Sequence, residues 1–221
     1  METVILGSMS QRADDTHSRE RILVAATDLF AERGYDATST RAIADAVGLN
    51  IATVAYHVGS KPQLYREVMR RAHEAQRAVV LDALKHLEST DPTPAGTLAG
   101  LIDFVDAYLA FCLEHREVPA LWMRRWLSEG KDLIEFESDL AGPLIAEVAG
   151  AVRTALSRAG IGADVDVEML VFTIVWTAHS FAQAGIIDAA GDRVPTDDAP
   201  TLDRFRDHLH TVIDRMIPTP G

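Results

Sequence analysis

The stretch Ser39 to Lys61 reads STRAIADAVGLNIATVAYHVGSK, and it decides the fold. It divides into a short helix, a glycine turn and a second short helix. The spacing predicts the first helix over about Thr40 to Val47, capped by Ser39 or Thr40. Gly48 makes the turn, and Asn50 caps the second helix, which ends near His57. A helix that enters a major groove about 12 Å wide needs small or extended side chains on its outer face. Here that face offers Asn50, Ala52, Thr53, Tyr56 and His57. Ile51, Val54 and Val58 are expected to turn back toward Ile43 and Val47. At the start of the first helix, Thr40 and Arg41 bring a hydroxyl, exposed N–H groups and a guanidinium that can grip phosphate. Lys61 supplies a second clamp. On spacing alone, a plain helical hairpin would fit the same pattern.

Working outward, almost every long segment has helical period. A helix from about Arg19 to Arg33 presents Ile22, Ala26, Leu29 and Phe30 on one face and stops at Gly34. Ser60 and Gln63 have capping-box spacing, and Pro62 fits the first turn of a helix that runs to about Leu87. Asp91-Pro92-Thr93-Pro94 breaks the chain. Beyond it the pattern predicts helices over roughly 96–115, 119–129, 133–159 (interrupted near Gly142-Pro143), 165–188 and 201–217. Gly160 to Gly162 and Asp188 to Pro200 read as loops. Residues 1–17 are expected to be a disordered tail in which Gly7-Ser8-Met9 reads as an appended junction, with Met9 as the natural start.

Composition sets limits on function. The chain has 221 residues, 48% of them hydrophobic, and a net charge of −12, so it can bury a real core. Overall acidity argues against nucleic-acid binding, but its distribution does not. Residues 10–75 carry nine Lys/Arg and nine Asp/Glu, whereas residues 76–221 carry twelve and twenty-three. The acidity therefore lies in the C-terminal two-thirds, and the two parts should meet different partners. Cys112 is the single cysteine and suits a reducing compartment. No secretory signal or membrane-length apolar run is expected.

A set of positions gives the N-terminal segment a relative. Ala25-Ala26, Leu29-Phe30, Gly34-Tyr35, Thr38-Ser39, Arg41, Ile43-Ala44, Val47-Gly48-Leu49, Ala52-Thr53-Val54, Tyr56-His57, Ser60-Lys61 and Leu64 together resemble the DNA-binding domain of the TetR family of transcriptional regulators. The resemblance spans Ala25 to Leu64, about a fifth of the chain. It implies a dimeric, ligand-responsive regulator, usually a repressor, that leaves its operator when a small molecule binds. It also places Thr40, Arg41, Asn50, Thr53, Tyr56, His57 and Lys61 where the family touches DNA. The chain departs from the family at two positions, with Val58 where Phe is frequent and Pro62 where an acidic residue often follows the lysine. The first shrinks a core contact; neither removes a DNA contact. The second short helix holds no Lys or Arg, so bidentate guanine readout would fall to Arg41. Asn50, Thr53, a methyl contact from Ala52, and DNA shape would carry the rest.

In the C-terminal half, aromatic residues recur at helical spacing. Ordinary core is the plain reading. The functional reading is an apolar effector pocket between helices, lined by Phe104, Tyr108, Phe111, Trp122, Met123, Trp126, Trp176 and His179, with His115 and Thr177 as further polar candidates. The segment at 170–176, LVFTIVW, is apolar nearly all round and must be covered on more than one side. Leu202, Phe205, Leu209, Val212 and Met216 form a narrow seam. Together with Leu170, Ile174 and Phe181, that seam predicts a dimer interface about a two-fold axis.

Catalytic motifs are missing: there is no G-x-S-x-G, P-loop or H-E-x-x-H. Cys112 and His115 share a helical face, which would matter if the chain were a helical enzyme or small-molecule carrier with an N-terminal docking module. Loss of turnover on replacing either residue would favour that alternative. A non-specific DNA-organising role conflicts with the acidic body. The sequence thus predicts an all-α chain with a helix-turn-helix DNA-binding domain of three N-terminal helices over 18–64. A C-terminal helical bundle for ligand binding and dimerisation follows over 65–221, including the linking helix 61–87. The expected partners are double-stranded DNA carrying a palindromic operator, a small apolar or aromatic effector, and a second copy of the chain in a homodimer. No membrane, cofactor, metal or enzymatic activity is expected, and the localisation is cytoplasmic.

Overall fold

The computed structural model describes residues 2–127 and 137–218, with side chains from Asp15 onward. Nine α-helices and one minimal hairpin make up the described residues: α1 (Glu2–Ala37), α2 (Thr40–Val47), α3 (Ile51–Val58), α4 (Lys61–Ser89), α5 (Pro94–Glu114), α6 (Glu117–Trp126), α7 (Gly142–Ala159), α8 (Val167–Ala184), β1 (Ile186–Ile187), β2 (Arg193–Val194) and α9 (Ala199–Met216). The helix read from Arg19 lies inside α1, which starts further upstream. Most of the segment 1–17 lies outside the residues whose side chains are described. The interruption expected at Gly142-Pro143 is a short π-helical turn over Glu137–Ala141, with Pro143 in the first turn of α7. The start of the helix expected over 133–159 and the end of that expected over 119–129 lie outside the described residues.

The chain divides into two compact units, one formed by Met1–Ala72 with Ala120–Asp132, the other by His73–Pro119 with Leu133–Gly221. The division falls within α4, and the first unit also takes Ala120–Asp132, which the linear pattern assigns to the C-terminal half.

The first unit closes on the apolar faces of four helices. Ile22, Leu23, Ala26 and Phe30 of α1 are buried with Ile43, Ala44 and Val47 of α2, Val54 of α3, and Leu64, Tyr65, Val68 and Met69 of α4. Burial of side chains this size stabilises by roughly 1.5–3 kcal/mol each. Tyr65 meets Phe30 edge-on at 5.0 Å and lies 4.8 Å from Tyr35. Gly34 breaks α1 with φ 84 and ψ 171, a conformation that glycine adopts without a Cβ penalty. Buried Thr38 then ties off the end by donating to the carbonyls of Leu29 and Gly34, at 3.1 and 2.7 Å. Arg124 of α6 donates to the carbonyls of Ala31 and Glu32, at the same end of α1. Glu67 accepts from Arg19, Arg70 and Arg71, and Arg71 also reaches Glu20 at 2.8 Å. The guanidinium of Arg70, helped by Arg19 and Arg71, outweighs partial burial and holds the Glu67 carboxyl at about 2.

In the second unit α5 packs against α7, α8 and α9. By length and composition it is apolar enough to cross a membrane, at a mean hydropathy of 1.5, which departs from the expectation that no such run exists. Here half of that stretch is buried inside the protein, where Leu101, Val105, Leu109 and Phe111 are buried, as are Val152 and Leu156 of α7, Leu170 and Ile174 of α8, and Leu209 and Ile213 of α9. The loop expected over Asp188 to Pro200 contains part of a hairpin, in which Ile186 pairs with Val194 and Ile187 with Arg193. Two residues per strand are too few to leave an alternating signal. The hairpin turn is held by Asp188, whose carboxylate accepts from the N–H groups of Ala190 and Asp192 at 2.9 Å each.

Candidate nucleic-acid interface

The first unit fixes α2, the turn and α3 by local chemistry. Ser39 caps α2 by accepting from the Ala42 N–H at 3.1 Å, which satisfies one of the first N–H groups that have no helical acceptor. Gly48 ends it in the left-handed region at φ 70 and ψ 32. Arg21 of α1 donates to the Val47 carbonyl at 2.6 Å, closing the same end. Asn50 then caps α3 by accepting from the Thr53 N–H at 2.8 Å, and its oxygen also accepts the Thr53 hydroxyl at 3.0 Å. At the start of α4, the Gln63 side-chain oxygen reaches back to the Ser60 N–H at 2.8 Å.

These caps set which side chains face outward. Tyr56 is 78% exposed, with its ring edge-on to His57 at 5.1 Å. Arg41, Asn50 and Ala52 are exposed, and Thr40, Thr53, His57 and Lys61 are half-buried. Lys61 holds its ammonium 4.3 Å above the Tyr35 ring, a cation–π contact that pre-positions the charge. The sequence reading turned Ile51, Val54 and Val58 inward; Val54 is buried, but Ile51 is 43% exposed and Val58 half-buried. The correction has a simple cause. Ile51 is the first residue of an eight-residue helix, before the turn that brings a side chain back over the core.

Residues 22–68 match the family model for bacterial regulatory proteins of the tetR family, and they enclose this capped helix pair. That segment is similar to the TetR family. Among curated relatives, the HTH-type transcriptional repressor KstR2 of Mycolicibacterium smegmatis is 29% identical over 119 residues, 54% of this chain and 54% of that protein. The chain thus matches about half the length of that relative. Two solved structures share the fold over most of their length. The regulator PfmR of Thermus thermophilus superposes with a TM-score of 0.65 at 22% identity, covering 91% of this chain and 98% of that one. AibR, solved with isovaleryl coenzyme A and operator DNA, superposes with a TM-score of 0.64 at 18% identity, covering 88% and 97%.

The residues proposed for an effector pocket fall into both units. Trp122, Met123 and Trp126 belong to the first, where buried Trp122 lies 6.2 Å from Trp126. Phe104, Tyr108, Phe111, Trp176 and His179 belong to the second. There Tyr108 and His179 form the centre of a buried polar cluster that the sequence pattern does not reveal. The Tyr108 hydroxyl lies 2.7 Å from His179 Nε2 and accepts from Gln76 Nε2 at 2.8 Å. Burial holds the His179 imidazole down at about 4 and drives the Tyr108 phenol well above its usual value. Cys112 sits beside the same hydroxyl, and burial pushes its thiol up to about 12. That is the wrong direction for a nucleophile. His115 instead faces Glu117 at 3.5 Å, so Cys112 and His115 have different partners. Phe104 lines a surface groove of about 510 Å³ with Val79, Asp82, His86 and Asp103.

The expected dimer residues also divide. Leu170, Ile174, Phe181 and Leu209 are buried inside the protomer and have no surface left for a partner, which corrects that part of the reading. Phe205 stacks on Phe181 at 3.9 Å, using one of its faces within the chain. Leu202, Phe205 and Val212 are half-buried and Met216 is exposed. The outward face of α8 is instead Met169, 51% exposed, and Phe172, 56% exposed, with Trp176 stacked on Phe172 at 6.0 Å. A helix apolar on every side does not reveal from its sequence which side the chain itself covers.

Proposed function

We propose that this chain is a sequence-specific, DNA-binding transcriptional regulator that represses from a palindromic operator and is released by a small apolar effector. The carrying observation is the capped α2–turn–α3 pair, with Tyr56 projecting from α3 between the cations Arg41 and Lys61. Arg41 and Lys61 would hold phosphates, and α3 would lie in the major groove. Thr40, Asn50, Ala52, Thr53, Tyr56 and His57 complete the contact surface.

The protein would act as a homodimer, because two reading heads must lie about 34–36 Å apart, or a multiple, to read a palindrome. Met169, Phe172 and Trp176 of α8, with Leu202, Val212 and Met216 of α9, would form the interface. The effector would bind in the second unit near Phe104, Tyr108, Phe111 and His179. This surface is rich in apolar and aromatic groups and has one polar cluster, which suits an aromatic or acyl compound. AibR, with its isovaleryl coenzyme A and operator DNA, supports an acyl ligand by analogy of fold. A ligand releases DNA only as far as it prefers the non-binding conformation. The route would be α4, continuous from Lys61 to Ser89 and shared by both units. The expected site of action is the cytoplasm.

The test is a gel-shift titration with DNA from upstream of the protein's own gene. Tyr56→Ala and Lys61→Ala should each weaken the shift. Retention of full affinity in both variants would sink the assignment.

A further inference from the structure

Resting on the reading of α3 as a DNA reader, we propose that it selects its site through thymine methyl groups, met by Ile51, Ala52 and Ala55. The inference comes from what the folded helix has left to offer each base. Guanine is read by a bidentate Arg or Lys, and none occurs between Arg41 and Lys61. Cytosine presents an amino donor that calls for a carboxylate, and α3 has no Asp or Glu. Adenine is read by an Asn or Gln that accepts and donates at once. The one candidate, Asn50, has its side-chain oxygen occupied by both the N–H and the hydroxyl of Thr53. The same bond takes the Thr53 hydroxyl proton. The cap that starts the helix therefore uses the Asn50 acceptor and the Thr53 donor, so neither side chain is left with the paired donor and acceptor that adenine calls for.

Apart from Tyr56 and the half-buried Thr53 and His57, what α3 turns outward is aliphatic. Ile51 is 43% exposed, and Ala52 and Ala55 are exposed beside it. Residues i, i+1 and i+4 lie on one side of a helix, so these three form a single apolar patch with Tyr56 at its edge. Thymine alone carries a methyl group into the major groove, and apolar side chains are its natural contact. An apolar patch left in water on a helix flanked by Arg41 and Lys61 has a matching surface there. Phosphate contacts from those two cations fix the register without selecting sequence.

The experiment uses the full chain and duplexes enriched from a randomised pool. Each enriched duplex is resynthesised with 2′-deoxyuridine for thymine, which keeps every hydrogen-bonding group and removes only the methyl. Burial of one methyl corresponds to roughly fourfold in affinity, so losing two in a half-site should weaken binding by about fifteenfold, with the salt dependence unchanged. Ile51→Ala should shrink the difference between thymine and uracil duplexes while still binding DNA. Equal binding of the two duplexes within twofold would overturn the proposal. So would an A·T preference that survives loss of the methyls, which would assign readout to DNA shape. If no duplex is enriched and Lys61→Ala changes nothing, the DNA-reading assignment itself fails.

Discussion

Replacing Tyr108 by Phe removes a single oxygen from the second unit while keeping the ring. In the wild type that oxygen lies 2.7 Å from His179 Nε2 and 2.8 Å from Gln76 Nε2, and all three side chains are buried. The substitution takes away the atom that both nitrogens address. A buried polar group deprived of its partner costs about 1–3 kcal/mol, so two such groups should cost the unit about 2–6 kcal/mol. For a chain this long that corresponds to a fall in Tm of roughly 4–24 °C. Urea denaturation at pH 7.5, followed by tryptophan fluorescence and by circular dichroism, measures it. A loss under about 0.5 kcal/mol would refute the idea that this cluster is a tight, water-free network.

Acid should reveal the same burial. An unfolded histidine titrates near 6.5, whereas His179 in the fold is held at about 4 by burial. Below pH 6.5 the unfolded chain therefore takes up a proton that the folded chain refuses. Stability from this residue is complete above pH 6.5. It declines by about 1.4 kcal/mol per pH unit until pH 4. His73, shifted in the same direction chiefly by burial, adds to the slope. A stability profile that is flat from pH 7 to pH 5 would contradict the burial of both. Lys61→Ala should weaken binding to all DNA sequences alike and reduce the salt slope of log K by about 0.9, measured by anisotropy across a salt series. Tyr35→Leu should give a smaller loss of the same kind by removing the ring beneath the ammonium. Glu67→Gln should destabilise the first unit by about 1–2 kcal/mol at pH 7, after allowing for solvent screening. The Glu67 carboxyl is held down at about 2, so its contribution is present above pH 4.5 and disappears as the pH falls toward 2. Matching urea curves for variant and wild type at pH 7 would count against the network. Gly48→Ala should cost roughly 1–2 kcal/mol, since a Cβ there meets nothing within 4 Å and only the left-handed backbone opposes it. A larger loss in thermal melting would point to a steric role.

Much of the α2–turn–α3 segment was legible because its signals are local. Ser39, Gly48 and Asn50 act on neighbours within a few residues, and their cap and turn geometries follow from that. The break at Asp91 to Pro94 and the interruption at Gly142-Pro143 were legible for the same reason. Ile51 was misread because a period of 3.6 residues cannot be phased over a single turn. The helical placement of the residues expected at a dimer interface was legible, but four of them are buried within the protomer. Leu170, Ile174 and Phe181 occupy a helix with apolar groups on every side, so periodicity alone does not choose the covered face.

The sequence by itself determined the neutral N-terminal segment on an acidic body and the pair of short helices with their caps, because capping, turn chemistry and charge act between near neighbours. Tertiary structure decided the rest. It chose Met169 and Phe172 as the open face of α8, and it brought Gln76, Tyr108 and His179 into one cluster across 103 residues of chain, the span from 76 to 179. It also left Ile51 partly in solvent while Val54 of the same helix is buried. Each of these depends on which surfaces are removed from water when distant helices meet, and linear order does not encode that choice locally.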